Sequence, residues 1–184
     1  MKRLIDILIS LAVLLLFSLL MLVIAGLIYL YDRGPVFFRQ TRVGLGGREF
    51  GMFKFRSMVV DAEKRGGYAT ADRDPRITPV GRFIRKTSID ELPQVINVLK
   101  GDMSIVGPRP NVPAQLSLYT PEEWRVRHSV RPGITGLAQA TYRSAATQDQ
   151  RTQLDLQYAA EASVKLDMKI IALTFLQVLT KGGN

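Results

Sequence analysis

The chain opens on an unbroken apolar run. From Ile7 to Tyr31 it reads ILISLAVLLLFSLLMLVIAGLIYLY, twenty-five residues without a charge. As an α-helix this run is about 37 Å long, at ~1.5 Å per residue, enough to cross a bilayer. It exceeds the ~7–15 apolar residues of a signal peptide and no A-x-A site follows, so it reads as a retained membrane anchor. The expected division is a membrane-inserted helix over 1–32 and a globular part over 33–184. The stretch PVFFRQTRVGLGGREFGMFKFRSM then shows two apolar runs around Gly44-Leu45-Gly46-Gly47, the pattern of a β-hairpin. Period-two alternation puts Lys54 and Arg56 on one face of the second strand and Phe53 and Phe55 on the other. Residues 61–78 are polar and predict a mobile loop with the character of a lid. Thr78-Pro79 predicts a helix start, with Val80, Phe83 and Ile84 as the buried stripe and Arg82, Arg85 and Lys86 outside it. Leu92, Val95, Ile96 and Leu99 recur at i, i+3, i+4, i+7 and predict a helix that stops at Gly101. From about Thr147 to Leu179 the chain reads as helices. The stripe of SVKLDMKIIALTFLQVL suits either a membrane surface or packing against the hairpin. The class is α+β: one membrane helix, a small hairpin and several amphipathic helices around a compact domain.

Charge bears on topology. The net charge is +9, which points to anionic partners. Lys2 and Arg3 precede the apolar run, and residues 33–66 carry eight Lys/Arg against three Asp/Glu. Both flanks therefore ask for the cytoplasmic side. A re-entrant helix satisfies both, with Ser18 or Gly26 as the break, Ser18 by bonding back to a carbonyl one turn earlier. By charge and length alone, a single span with a cytoplasmic C-terminal domain serves as well. There is no cysteine and a single histidine, His128, which leaves no Cys nucleophile and no His-rich metal cluster. His128 reads as a surface or hydrogen-bonded side chain.

The candidate chemistry centres on Asp90 and Glu91 in RKTSIDELPQVINVLKGDMSIVGPRP. With Asp90 as N-cap, Pro93 falls among the orphan N–H positions of the helix, and both carboxylates meet its positive end. Adjacent helical residues diverge by about 100°, so the two cannot face each other across one bond. They can divide the labour, one attacking and the other holding a hard cation such as Mg²⁺ with a phosphate substrate. Arg109, between two prolines, and Arg131, beside a Pro-Gly turn, suit bidentate contact with phosphate. With Lys54, Arg56 and Arg85 they outline a diphosphate pocket.

The chain resembles the monotopic phosphoglycosyl transferases of the bacterial sugar transferase family, in their small form that carries only the catalytic domain. The likeness runs through KRLIDILIS, GPVFFRQTRVG, FKFRSM, DELPQVINVLKGDMSIVGPRP, VRPGITGLAQ and LDMKII. It implies transfer of a phosphosugar from a UDP-sugar to polyprenol phosphate, with UMP released. Asp90 would attack the sugar-linked phosphorus to give a covalent aspartyl phosphosugar, and Glu91 would join it in binding Mg²⁺. The implied place is the cytoplasmic face of the bacterial inner membrane. The implied partners are the UDP-sugar, the polyprenol phosphate and membrane lipids, with a homodimer left open and no nucleic acid. Two departures stand out. Leu19 follows Ser18 where relatives commonly carry proline, and Ala140-Thr141-Tyr142 precede Arg143, a further candidate substrate- or phosphate-binding residue, where relatives commonly carry Asn-Gly-Arg. The rival reading is a non-catalytic scaffold that binds polyprenyl phosphate or phospholipid.

Overall fold

The computed structural model describes residues 1–62, 66, 74–142 and 146–181, with side chains up to 177. Most of the loop read as a lid, and Arg143, lie outside the described residues.

Helix α1 (Lys2–Asp32) runs without interruption through Ser18, contrary to the expected break. Ser18 Oγ does donate to the Leu15 carbonyl at 3.0 Å. But Leu19, unlike proline, keeps its N–H, so the hydrogen-bond ladder continues past it. Both ends of α1 are tied to the globular part. At the start, Lys2 donates to Asp167 at 2.6 Å and to the Val106 carbonyl at 3.0 Å. Arg3 reaches the carbonyls of Val98 and Leu99. Asp6, fully enclosed, accepts from Ser104 Oγ and the Ile105 N–H. At the far end Asp32 takes two bonds from Arg56, and Ile24 and Ile28 pack with Phe55 and Ile84. Leu15, Leu16, Leu19 and Leu22, midway, stay 69–82% exposed. This is the one described helix long and apolar enough to cross a membrane.

The hairpin forms as read. Strands β1 (Phe37–Val43) and β2 (Glu49–Phe55) are antiparallel, and Gly46 and Gly47 turn the chain at φ of 65° and 78°, a region glycine enters freely. Phe55 stacks on Phe37 on the face away from Lys54. Helix α2 (Pro79–Lys86) starts on Thr78, whose hydroxyl accepts from the Gly81 N–H at 2.9 Å. Its buried stripe is Gly81 and Ile84, while Phe83 is 55% exposed. The helix sits so close that a Cβ at Gly81 would overlap the Ser57 carbonyl, which turns Phe83 outward.

Asp90 does not cap the next helix. Helix α3 (Gln94–Lys100) begins on Pro93, and Ile89–Glu91 form a separate 3₁₀ turn. Pro93 lacks an N–H and its ring excludes an α-type carbonyl four residues back. The N–H groups of Leu92, Val95 and Ile96 accordingly bond i→i−3, which tightens the backbone where the two carboxylates sit.

Past α3, β3 (Ser104–Val106) pairs in parallel with β4 (Gly133–Thr135). Three glycines make this crossing possible. A Cβ at Gly107 would collide with the Arg131 carbonyl, one at Gly133 with the Gly107 amide, and one at Gly136 with the Gly107 carbonyl. Helices α4 (Pro121–Arg127), α5 (Leu137–Tyr142), α6 (Gln148–Glu161) and α7 (Val164–Lys181) close the domain. Helix α7 packs on α5 and the β3–β4 pair, with Ile170 buried against Tyr158 and Val106, and leaves Met168, Phe175 and Leu176 more than half exposed.

The glycine crossing yields a stability test. Gly133→Ala forces backbone apart and is expected to cost about 1–3 kcal/mol, read as a lower melting temperature in detergent. Gly26→Ala, with open space around it, is expected to leave the melt unchanged or raise it slightly.

Candidate active site

The 3₁₀ turn carries the dyad between two cavities. Ser88, which leads into it, holds φ at +56°, a left-handed conformation that costs a non-glycine residue about 1–2 kcal/mol. Asp90 is 8% exposed and lines a cavity of about 490 Å³ together with Arg39, Arg42, Lys54, Arg56 and Arg85. No described residue hydrogen-bonds its carboxylate. Burial pushes its pKa above the ordinary aspartate value, opposed first by Lys54 and then, more weakly, by Arg85 and Arg109, while Glu91 adds to the rise. The helix-end placement expected from sequence is thus outweighed by desolvation.

Glu91 lines a second cavity of about 630 Å³. Its Oε1 accepts from Lys54 Nζ at 2.8 Å and Arg109 Nη2 at 2.7 Å. Burial alone would raise its pKa, but Arg109 and Lys54 together outweigh it and hold the carboxyl well below the usual range. Glu91 is therefore a fixed anion that fastens three segments, and Asp90 is a buried carboxylate left open to a cationic space. That pair suits a hard cation that keeps several waters and shares phosphate oxygens, with Asp90 and the second Glu91 oxygen as protein donors. Among the described residues no third Asp, Glu or His joins them.

Each partner is placed by an identifiable contact. Buried Asn97 on α3 accepts from the Phe53 N–H and donates to the Gly51 carbonyl, both at 2.9 Å, closing the open edge of β2. This brings Lys54 to Glu91. The Arg109 turn is held from behind by buried Arg127, whose guanidinium bonds the Arg109 carbonyl and the buried Asn111 and Asp155 side chains. Arg42 holds it from the other side through the Pro110 carbonyl at 2.8 Å.

Of the residues singled out in the sequence, Asp90, Glu91, Lys54, Arg85 and Arg109 come together. Arg56 lines the same cavity as Asp90, but its guanidinium is committed to Asp32. Arg131 bonds the Gly101 carbonyl, at the opposite end of α3 from the dyad, and lines neither cavity. His128 is buried with Nδ1 at 2.7 Å from the Trp124 carbonyl, a structural role.

Residues 1–181 match the family described as bacterial sugar transferase. The chain belongs to that family. It is 43% identical to the uncharacterized sugar transferase EpsL of Bacillus subtilis, over all of this chain and 89% of that one. It is 45% identical to the UDP-glucose:undecaprenyl-phosphate glucose-1-phosphate transferase of Escherichia coli, over 95% of this chain and 39% of that protein. The same identity holds to the UDP-N-acetylgalactosamine-undecaprenyl-phosphate N-acetylgalactosaminephosphotransferase of Aeromonas hydrophila, over 99% of this chain and 44% of that one. The chain thus spans less than half the length of these last two relatives.

In this sugar transferase the sequence reading missed Arg42, Asn97 and the Arg127–Asp155 pair. A signal for Arg42 was present. Five residues, 44–48, separate the paired Val43 and Glu49, which sets Arg42 opposite Phe50 and Phe38 opposite Lys54, so Arg42 and Lys54 share a face; the four glycine-turn residues 44–47 alone would have put them on opposite faces. Nothing local marks Asn97, Arg127 or Asp155.

The buried pair gives a test. Arg127→Met strands Asp155 without its partner and is expected to destabilise by about 3–5 kcal/mol. Adding Asp155→Leu is expected to restore most of the melting temperature but not the activity, because Arg109 stays unsupported.

Proposed function

We propose that the chain transfers a sugar phosphate from a UDP-sugar to a polyprenol phosphate of the undecaprenyl type. The observation that carries this is Asp90: a buried carboxylate, free of hydrogen bonds to the described residues, facing a cation-lined cavity beside a clamped Glu91. The E. coli and Aeromonas relatives bear names for this reaction with two different sugars, so the sugar itself stays outside the proposal.

The chemistry follows from the placement. Desolvation makes Asp90 more basic and hence a stronger nucleophile, and it attacks the phosphorus that bears the sugar. The bond from that phosphorus to the phosphate of UMP breaks, and UMP leaves with the electron pair. An oxygen of the lipid phosphate then attacks the same phosphorus and Asp90 is regenerated. Lys54 and Arg109 keep Glu91 ionised, and Arg85 adds positive charge beside the reacting oxygens. Mg²⁺, held by Asp90 and Glu91, would neutralise charge on the diphosphate.

We propose that α1 keeps both ends on one face of the membrane, lying unbroken along it without the central break of a re-entrant hairpin, with the globular domain on the cytoplasmic face of the inner membrane. Support comes from its two ends, both bonded to the same polar domain, and from the apolar surface exposed between them. A transverse span would carry one end about 46 Å from the other along the bilayer normal, at ~1.5 Å for each of 31 residues.

Two experiments test these assignments. Protein mixed with Mg²⁺ and a panel of UDP-sugars, without lipid, is expected to gain a phosphosugar mass and release UMP, and Asp90→Asn to do neither. UMP release that required acceptor and left no adduct would replace the covalent route by direct transfer. Because the chain has no cysteine, single cysteines added before Met1 and at Arg33 report topology. Both are expected to react with an impermeant maleimide from the same face, and labelling from opposite faces would mean a span.

A further inference from the structure

Arg42 differs from most of the arginines near the dyad. Arg56 is paired with Asp32, Arg109 with Glu91 and Arg127 with Asp155. Arg42 has no carboxylate partner among the described residues. Its guanidinium bonds only the Pro110 carbonyl and Gln40 Oε1, and its enclosed Nε bonds nothing described. A half-buried cation left in this state is costly unless an anion completes it. Burial and neighbouring Arg109 press against its charge, lowering its pKa to about 10, with Glu91 opposing. Arg42 also lines both cavities, the one reached by Asp90 and the one reached by Glu91.

Both cavities mix cations with apolar side chains, and they differ in which part of the fold supplies each. The first gathers Lys54, Arg56 and Arg85 around Asp90 and suits a nucleotide diphosphate. The second has an apolar wall of Ile9, Val13, Val95, Ile105 and Ile134, two of them from α1, and so opens toward the apolar helix. That wall suits a polyprenyl chain.

Two displacements at one phosphorus impose a geometric condition. In-line attack by Asp90 expels the UMP phosphate from the side opposite the carboxylate. The lipid phosphate, to expel Asp90, must enter on that same side. The departing and arriving phosphates therefore use one position in turn. We propose that Arg42 holds this shared position, first the phosphate of UMP through the cavity beside Asp90 and then the lipid phosphate through the one beside α1. This rests on the transfer reading above and adds to it a single anion site common to both half-reactions.

The test separates the halves. Adduct formation from a UDP-sugar without lipid reports the first. Discharge of that adduct by undecaprenyl phosphate, or by added UMP, reports the second and the reversal of the first. Arg42→Gln is expected to slow adduct formation and both discharges by about 10–100-fold, the scale of a lost charged hydrogen bond. Arg42→Lys is expected to recover part of all three. Inhibition by UMP is expected to weaken about tenfold in Arg42→Gln while inhibition by uridine holds, a split that mere misplacement of the Arg109 turn would not produce. Val13→Trp, on the apolar wall, is expected to slow discharge by lipid and leave discharge by UMP intact. Loss of only one half-reaction in Arg42→Gln, or equal weakening of UMP and uridine, would overturn the assignment. Should Arg42→Gln fail to fold, Arg42→Lys decides, and full loss of a single half-reaction there overturns it as well. A wild type giving neither adduct nor UMP would sink the transfer reading itself.

Discussion

A single oxygen, Glu91 Oε1, accepts from Lys54 on the hairpin and from Arg109 in the proline-flanked turn, and through these bonds three segments distant in sequence share one point. Each segment has its own support. Asn97 fixes the hairpin edge, Arg127 and Arg42 fix the Arg109 turn, and Pro93 tightens the backbone of the dyad. The charge of Glu91 is what makes these supports converge. A neutral side chain there would leave two half-buried cations facing each other, and their repulsion would open the site. The adjacent carboxylate escapes this clamp because successive residues of a tight helical turn point to different sides, so Asp90 faces its own cavity.

The same domain has to hold a helix whose surface belongs in lipid. Its middle leucines are exposed, and its polar contacts lie at the two ends. Lys2 and Arg3 are spent on Asp167 and on the last carbonyls of α3, where a helix end favours a cation. Asp6, an acid inside a helix of high hydropathy, is made tolerable by Ser104 and the Ile105 N–H, groups of the strand that leads to Arg109. The helix start is thus bonded into the chain that carries Arg109. Exposed Met168, Phe175 and Leu176 on α7 give the domain a second apolar surface.

How far the sequence reveals this depends on the range of each interaction. The hairpin, the Thr78 cap and the late helices rest on neighbours in the chain, and alternation or capping patterns find them. The dyad stands out as two acids in a long motif. The position of Asp90 was misread because capping rules weigh Pro93 only for its missing N–H, whereas its ring also tightens the turn before it. Ser18 was read as a break because it can bond backward, yet with Leu19 behind it that bond alone does not interrupt the ladder. The parallel β3–β4 pair, only three residues per strand, shows no periodicity. Its signal was instead the glycines of VGPRP and PGITG, read as punctuation around arginines when their lack of Cβ lets two backbones touch. Asn97 and Asp155 act across long separations, and no local rule reports them.

The charge ledger of the site then sorts its cations in a way that composition could not. Lys54 and Arg109, read at first as phosphate ligands, balance the two negative charges of Asp90 and Glu91. Arg56 is balanced by Asp32 and Arg127 by Asp155. Around the dyad this leaves Arg42 and Arg85 as cations without a carboxylate among the described residues, while Arg39 lies over the Phe53 ring on the other face of the hairpin. A diphosphate entering this site therefore meets positive charge that is not already committed, and it meets it on the Asp90 side. If all the arginines were equally available, an anion would bind wherever the surface is basic. Because most are neutralised in place, attraction is confined to the few positions beside Asp90.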